Sequence, residues 1–497
     1  MTNLIPFPLP LAPRLPTIEG NVDYLDYQRQ LQRIDFLLIA SGVETQFLEL
    51  SLAHWLAQRP AGSPPISPKS QRQFQVHARC ALRCNLVRTL LQKPFRKLAV
   101  HLAESPLLQW FCGLSQVDKV KVPSKSTLQR YETWLPAEQM RPLIEQLLCA
   151  GRDQAPALQL AAPLDLDAVF LDCTCVKADI HFPTDWVLLR DAACTLTQAV
   201  ALIRQQGLKH RMADPAGFRQ QMNQLAMSMA QAQRRVDSKK QRKKILREMK
   251  RLAQVVRAHA QRHRDLLDRQ WAQTDWTRPQ AEQVLRRLDN VLRQLPAAIA
   301  QAHERIIGER LVKNEDKILS LFEPDVRVVV RHKPGAAVEF GNDLLLGESV
   351  QGLIVDWELF ADRVPADVTL VKPSVQRLEK GLRQKLQALG GDRGFDSAAN
   401  RQWLGQKKIF NGLCPRAPLN LQARMQEPRF AAAQKRRAQT EGRIGIFKNN
   451  FLGRPLRVKG FAHRALAVAW GVLTHDLWVL ARLPEPEVRA VKQRRAA

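Results

Sequence analysis

Residues 185 to about 311 contain almost nothing that stops a helix, and strand-like sequence flanks them on both sides. The stretch is rich in Gln, Ala, Arg and Leu, residues that lose little rotamer freedom in a helix. Its breakers are few, chiefly Asp214–Gly217, Pro279 and Pro296. Before it comes LDLDAVFLDCTCVKADIHF, whose alternation sets Phe170, Asp172 and Thr174 on one strand face and Leu171, Cys173 and Cys175 on the other. After it come VRVVVRH, AVEFG, LLLGES and GLIVDWEL, a meander of paired strands with Gly and Asn-Asp turns. A helix in TLVKPSVQRLEKGLRQKLQALG, the turn GGDRGFD, a strand-like KIFNGLCPR and helix from about residue 431 complete the pattern, with LGRP as an interruption. Strand, helical insert, strands, helix, short strand, helix predicts an α/β fold with an all-helical insertion.

The rest of the chain divides by composition. Residues 1–20 are a Pro-rich tail and 21–155 a helical N-terminal unit. A core begins at 160–200, is interrupted by a basic helical insertion at 201–314, and resumes at 315–483, with a basic tail at 484–497. In the N-terminal unit, KPFRKLAVHLAESPLLQWFCGL and VPSKSTLQRYETWL read as small helices joined by a turn, with Ser124 or Ser126 as a cap. A DNA-reading helix-turn-helix and a plain helical bundle with a basic surface both fit this pattern.

Charge narrows the partners. The 497 residues carry 76 Lys+Arg against 47 Asp+Glu, a net charge of +29, which suits a polyanion such as nucleic acid. Residues 201–310 alone hold 24 Lys+Arg against 10 Asp+Glu, so +14 of the excess lies there. Its densest part, residues 234–251, contains Lys239, Lys240, Lys243 and Lys244, read either as a phosphate-contacting helix face or as a solvated one. A membrane partner is not expected, because no polybasic run flanks a spanning segment. Prolines interrupt the apolar N-terminus, and the apolar window 465–483 carries His475 and Asp476 at its middle. The eight cysteines form no CxxC pairs, which predicts free thiols in a reducing cytoplasm. Cys173 and Cys175, pointing away from Asp172, read as buried under a covering helix rather than as zinc ligands.

Chemistry concentrates in three places. Arg437, Glu441 and Lys448 are spaced by four and seven residues, so one helix stripe would carry a carboxylate between two cations. Upstream, Asp172 lies in a core strand and Asp392 follows a Gly-Gly at a strand-to-helix junction, where ligands commonly approach a sheet edge. Asp396 reads as the N-cap of the next helix. Three carboxylates on three elements can converge into an oxygen-rich site of the kind that takes Mg²⁺ or Mn²⁺.

These motifs resemble the DDE transposases of bacterial insertion sequences. The resemblance rests on Arg437, Glu441 and Lys448, which match the family's Tyr-x2-Arg-x3-Glu-x6-Lys signature with Gln434 in place of the tyrosine. It rests also on LDCTCVKADIHFPTD around Asp172, GDRGFDS around Asp392, KPGAAVEFGNDLLL between them, and the N-terminal motifs quoted above. The helical segment after HFPTD is similar to the ISNCY-like branch. The resemblance implies a ribonuclease-H-like mixed sheet flanked by helices, with a helical N-terminal DNA-binding domain. It implies that Asp172, Asp392 and Glu441 are catalytic and hold two Mg²⁺ or Mn²⁺ ions, and that Arg437, Arg443 and Lys448 hold phosphate. The substrates would be double-stranded DNA, both the element's terminal inverted repeats and the target. The protein would act as a homodimer on DNA in the cytoplasm, at the nucleoid. A nuclease of the same fold that does not join strands, an inactive DNA-binding derivative, and an RNA-binding helical protein stay open beside it. The last is a poor match for a chain with three tyrosines.

Overall fold

The computed structural model describes residues 15, 17–115, 119–232, 237–333 and 336–486. Most of the Pro-rich and basic tails, and Arg234 and Arg235 of the basic run, lie outside the described residues. Seven helices come first: α1 (Val22–Ala40), α2 (Val43–Ala57), α3 (Pro68–Leu91), α4 (Phe95–Glu104), α5 (Pro106–Cys112), α6 (Lys125–Glu132) and α7 (Arg141–Asp153). Strand β1 (Ala168–Lys177) leads into α8 (Asp185–Gln205), α9 (Pro215–Ala232), α10 (Ser238–Gln270) and α11 (Arg278–Ala302). Then follow β2 (Arg327–Lys333), β3 (Ala336–Ser349), β4 (Ile354–Leu359), α12 (Asp367–Leu382), β5 (Ala388–Gly391), α13 (Ala398–Gln406) and β6 (Phe410–Leu413). The chain closes with α14 (Pro418–Arg424), α15 (Pro428–Phe447) and α16 (Phe461–Leu480).

The fold is mixed α/β, with one mixed six-stranded sheet flanked by helices. β1 is central. It pairs antiparallel with β3 on one side and parallel with β5 on the other, and β6 extends the parallel side. β2 and β4 both pair with β3, at different ends of that long strand. Here the structure departs from the expected Asn-Asp turn, because Gly341, Asn342 and Asp343 run straight through β3. Gly341 lets β3 press against β1, since a Cβ there would lie 2.0 Å from the Val176 carbonyl oxygen. Asn342 is fully buried and spends its side chain on structure: Nδ2 donates to the carbonyls of Asp325 (2.7 Å) and Phe360 (2.9 Å), and Oδ1 accepts from Arg464.

The helical insertion begins earlier than composition suggests, at Asp185 rather than 201. α8 is the central member of its bundle, packing against α9, α10 and α11 around an apolar core that runs from Leu188 to Leu321 and is separate from that of the sheet. α8 is also the one described helix long and apolar enough to cross a membrane, and 56% of its apolar window is buried in the protein; α1 and α2 would qualify only as one span bent by 62°. Pro296 does not break α11. By contrast, residues 21–155 are no independent unit, for their helices share a continuous core with the sheet. α16 is the joint, touching α1, α3, α7 and β4, and Trp470 Nε1 donates to the Glu132 carbonyl at 3.2 Å. The apolar window at residues 465–483 falls largely within this element.

Within α16, Asp476 is wholly buried. Its Oδ1 accepts from the Ile354 amide and contacts His475 Nδ1, both at 2.9 Å. Burial pushes the Asp476 carboxyl above its ordinary value, against the hydrogen bond from His475. A raised folded pKa means that the folded chain holds this proton more tightly than the unfolded one. Its contribution is therefore full below the ordinary carboxylate range and is lost as pH rises through the folded pKa. Asp476→Asn keeps the shape and removes the titration. Denaturant titrations should show wild type losing stability relative to the variant from about pH 4 upward; a difference that does not vary with pH contradicts this account.

Candidate active site

β1 and β5 bring two of the expected carboxylates together. Their parallel register ends at Leu171 opposite Gly391. One residue further on, Asp172 continues β1 while Asp392 leaves β5 beside it, with neighbouring strands about 4.8 Å apart. Both side chains are half-buried. Each accepts a local backbone N–H at 2.7 Å: Asp172 Oδ1 from Cys173, and Asp392 Oδ1 from Gly394. The turn needs Gly394, because a Cβ there would meet Asp367 Oδ2 at 2.4 Å and Asp392 Oδ1 at 2.9 Å.

That contact exposes a carboxylate the sequence reading missed. Asp367, in the first turn of α12, stands beside Asp392 and hydrogen-bonds to Cys173. Burial raises its carboxyl above the ordinary value, and the charge of Asp392 adds to this. Burial likewise raises the Cys173 thiol. The signal available in sequence was weak: an Asp at the start of a helix is commonly only a favourable charge there. All eight cysteines are free, and Cys173 and Cys175 lie across the strand from Asp172, as the alternation predicts.

α15 lies along β1 on the Asp172 face. Arg436 stacks over the Phe170 ring at 5.0 Å, and Lys448 Nζ donates to Thr174 Oγ1 at 2.9 Å. Asp172 is thus bracketed on its own strand face by two residues held by this helix. The expected stripe is only partly realised. Lys448 opens a π-helical turn, Lys448–Leu452, and is buried, whereas Glu441 is exposed at the margin of the buried row Thr440, Ile444, Phe447. Among the described residues, no group of three or more His, Cys, Asp or Glu side chains is arranged to hold a metal ion. The strand register thus sets Asp172 and Asp392 next to one another, and Glu441 is exposed on the helix that lies along the Asp172 face of β1.

The remaining expected residues have structural partners. Arg437 Nε donates to Gln434 Oε1 at 3.2 Å, and Gln434 Nε2 donates to the Gly412 carbonyl at 2.8 Å, so Gln434 fastens α15 to β6. Arg443 pairs with the buried Glu348 at 3.1 Å, a carboxylate it shares with Arg436. Asp396 is not the cap of α13. Ser397 is, accepting from the Asn400 amide, while buried Asp396 pairs with Arg401 at 2.7 Å. Ser124 caps α6, as one of the two expected serines.

In the insertion, Lys239 and Lys243 both reach Glu309, at 3.2 and 2.8 Å, and Lys240 and Lys244 are exposed. Exposed pairs of this kind are worth little and exchange readily for another anion. If this face contacts phosphate, replacing all four lysines by Gln should lower the salt slope of polyanion binding by about 3 to 4. An unchanged slope would show it to be only solvated.

Comparison with protein-family models, curated proteins and solved structures returned no match.

Proposed function

We propose that this chain cuts and joins DNA as an insertion-sequence transposase of ribonuclease-H-like fold. The observation that carries the reading is the Asp172–Asp392 pair, one carboxylate within β1 and one just past the end of the adjacent parallel β5, in a chain of net charge +29. The strand order supports it: a central strand pairs antiparallel with a meander and parallel with β5, β6 extends the parallel side, and a helix bearing Glu441 follows. Asp172 and Asp392 suit Mg²⁺ or Mn²⁺, which use one or two protein carboxylates and leave positions for phosphate and water. Bound there, the metal would supply Lewis acidity and charge neutralisation at phosphorus.

The chain's own residues then position the reaction. Asp172 and Asp392 are held by the hydrogen bonds to the Cys173 and Gly394 amides, which fix where each carboxylate points. Arg437 would offer its planar fork to a phosphate next to the cut. Lys448 fixes the end of α15 on β1 through Thr174, which is a positioning role. In strand transfer, a 3′-hydroxyl oxygen of the element forms a bond to a target phosphorus, and the target's own 3′-oxygen leaves and takes a proton. The number of phosphodiester bonds is unchanged, so no covalent protein intermediate is required. Two element ends joined in one event fit a homodimer on DNA.

The test is a reaction of labelled duplex ends with Mg²⁺ and a plasmid target. Joined products support transposition, and cleavage without joining assigns a nuclease. A second reading, a DNA-binding protein without this chemistry, draws on the finding that among the described residues no group of three or more His, Cys, Asp or Glu side chains is arranged to hold a metal ion. It predicts DNA binding with neither product.

A further inference from the structure

A cleft of about 600 Å³ opens between the α3–α4 corner and the segment that links α15 to α16. Its walls carry Arg88, Lys93, Arg454, Arg457 and Lys459, against a single acid, Glu132. Glu132 is already matched by Arg88 at 2.6 Å. Among the described residues, Lys93, Arg454, Arg457 and Lys459 form no salt bridge with a carboxylate.

The segment is built to present these charges. Gly453 and Gly460, both at φ +84°, bracket it. Leu456 is buried, and its amide donates to the Lys177 carbonyl at 2.9 Å, pinning the segment to the end of β1. Val458 packs on the core. With Leu456 and Val458 facing in, Arg457 and Lys459 face out, about 7 Å apart in an extended chain. The opposite wall is fixed as well, since Gln92 Nε2 donates to the Asn449 carbonyl at 2.7 Å.

The position is as informative as the charge. The cleft starts at Phe451, three residues after Lys448, which bonds to Thr174, and it is tied to Lys177 at the end of β1, five residues along the same strand from Asp172. We propose that this cleft holds the phosphate backbone of duplex DNA and leads it toward the Asp172–Asp392 edge. The inference rests on the proposed function and adds to it the path of the substrate across the joint between the N-terminal helices and the sheet.

The test is duplex-DNA binding by the full chain over a salt series, for wild type and for Arg454→Gln/Arg457→Gln/Lys459→Gln. Each lost phosphate contact lowers the slope of log affinity against log salt by about 0.9, so the triple variant should lose roughly 2 to 3. Arg457→Gln and Lys459→Gln alone should each lose about one third of that, which keeps the test decisive should the triple variant not fold. A control of equal charge change, Arg383→Gln/Lys385→Gln/Lys408→Gln, lies where β5 and β6 begin, at the opposite sheet edge. Its slope should stay near wild type. An unchanged slope in the cleft variants, or an equal drop in the control, overturns the cleft while leaving the proposed function intact. Equal losses for single-stranded RNA and duplex DNA reject duplex DNA as its occupant. No binding of DNA by the unaltered chain would overturn both.

Discussion

Asp172→Asn and Asp392→Asn are each expected to lower metal-dependent DNA cleavage by more than about 100-fold, the loss that follows from disturbing even an outer partner of a metal ligand. Either change keeps the side-chain shape and the hydrogen bond from the Cys173 or Gly394 amide, so the fold should be unaffected. What is lost is one of two adjacent negative charges. Because the pair acts as a unit, the double variant should be no worse than the worse single one. Glu441→Gln separates two versions of the site. If Glu441 is the third carboxylate, its loss should match that of the aspartates. If Asp367 is the third carboxylate, Asp367→Asn will be severe and Glu441→Gln mild. Near-normal cleavage by Asp172→Asn or Asp392→Asn removes that residue from the site altogether. Rates should be measured at saturating Mg²⁺ and repeated over a metal titration, since a weakened ligand set shifts the metal requirement as well as the rate.

The largest stability effect is expected at Arg464. It is wholly buried in α16, donates through Nε to Asn342 Oδ1 at 2.9 Å, and pairs with Glu323, which also accepts from the Gly460 amide. Arg464→Met leaves Glu323 as a buried charge without its cation, and breaking such a pair from one side costs about 3–5 kcal/mol. In a chain of 497 residues that corresponds to a fall in melting temperature of roughly 3–5 °C. Adding Glu323→Gln should recover part of the loss, because the stranded charge is gone. A cost below about 1 kcal/mol, the range of an exposed pair, would show that this network does not hold α16 to β3.

Much of the architecture was legible in the residues. The alternation around Asp172 gives the correct strand faces, and the breaker-poor stretch gives a helical insertion. What sequence could not show was tertiary. Gly341-Asn342-Asp343 has turn composition, yet the need for close approach to β1 and the three hydrogen bonds of Asn342 keep it extended. The helical stretch from residue 185 was legible, but that its first helix belongs to the insertion was not, because only folding packs α8 against α9, α10 and α11. Asp367 escaped notice because only folding sets it beside Asp392. The stripe of Arg437, Glu441 and Lys448 assumed a uniform helix; burial of Lys448 at the start of a π turn, with Glu441 left at the exposed margin, divides it.

The insertion also bears on the order in which the chain folds. β1 must pair with β3 across the whole helical bundle, a long-range contact that slows folding when the intervening chain is loose. Here that chain has its own apolar core of local helix contacts, and it leaves and rejoins the sheet at one small cluster of Ala178, Leu319 and Val326. A bundle that forms first turns a very long loop into a short one. β1 then meets β3 as though the two strands were near neighbours in sequence.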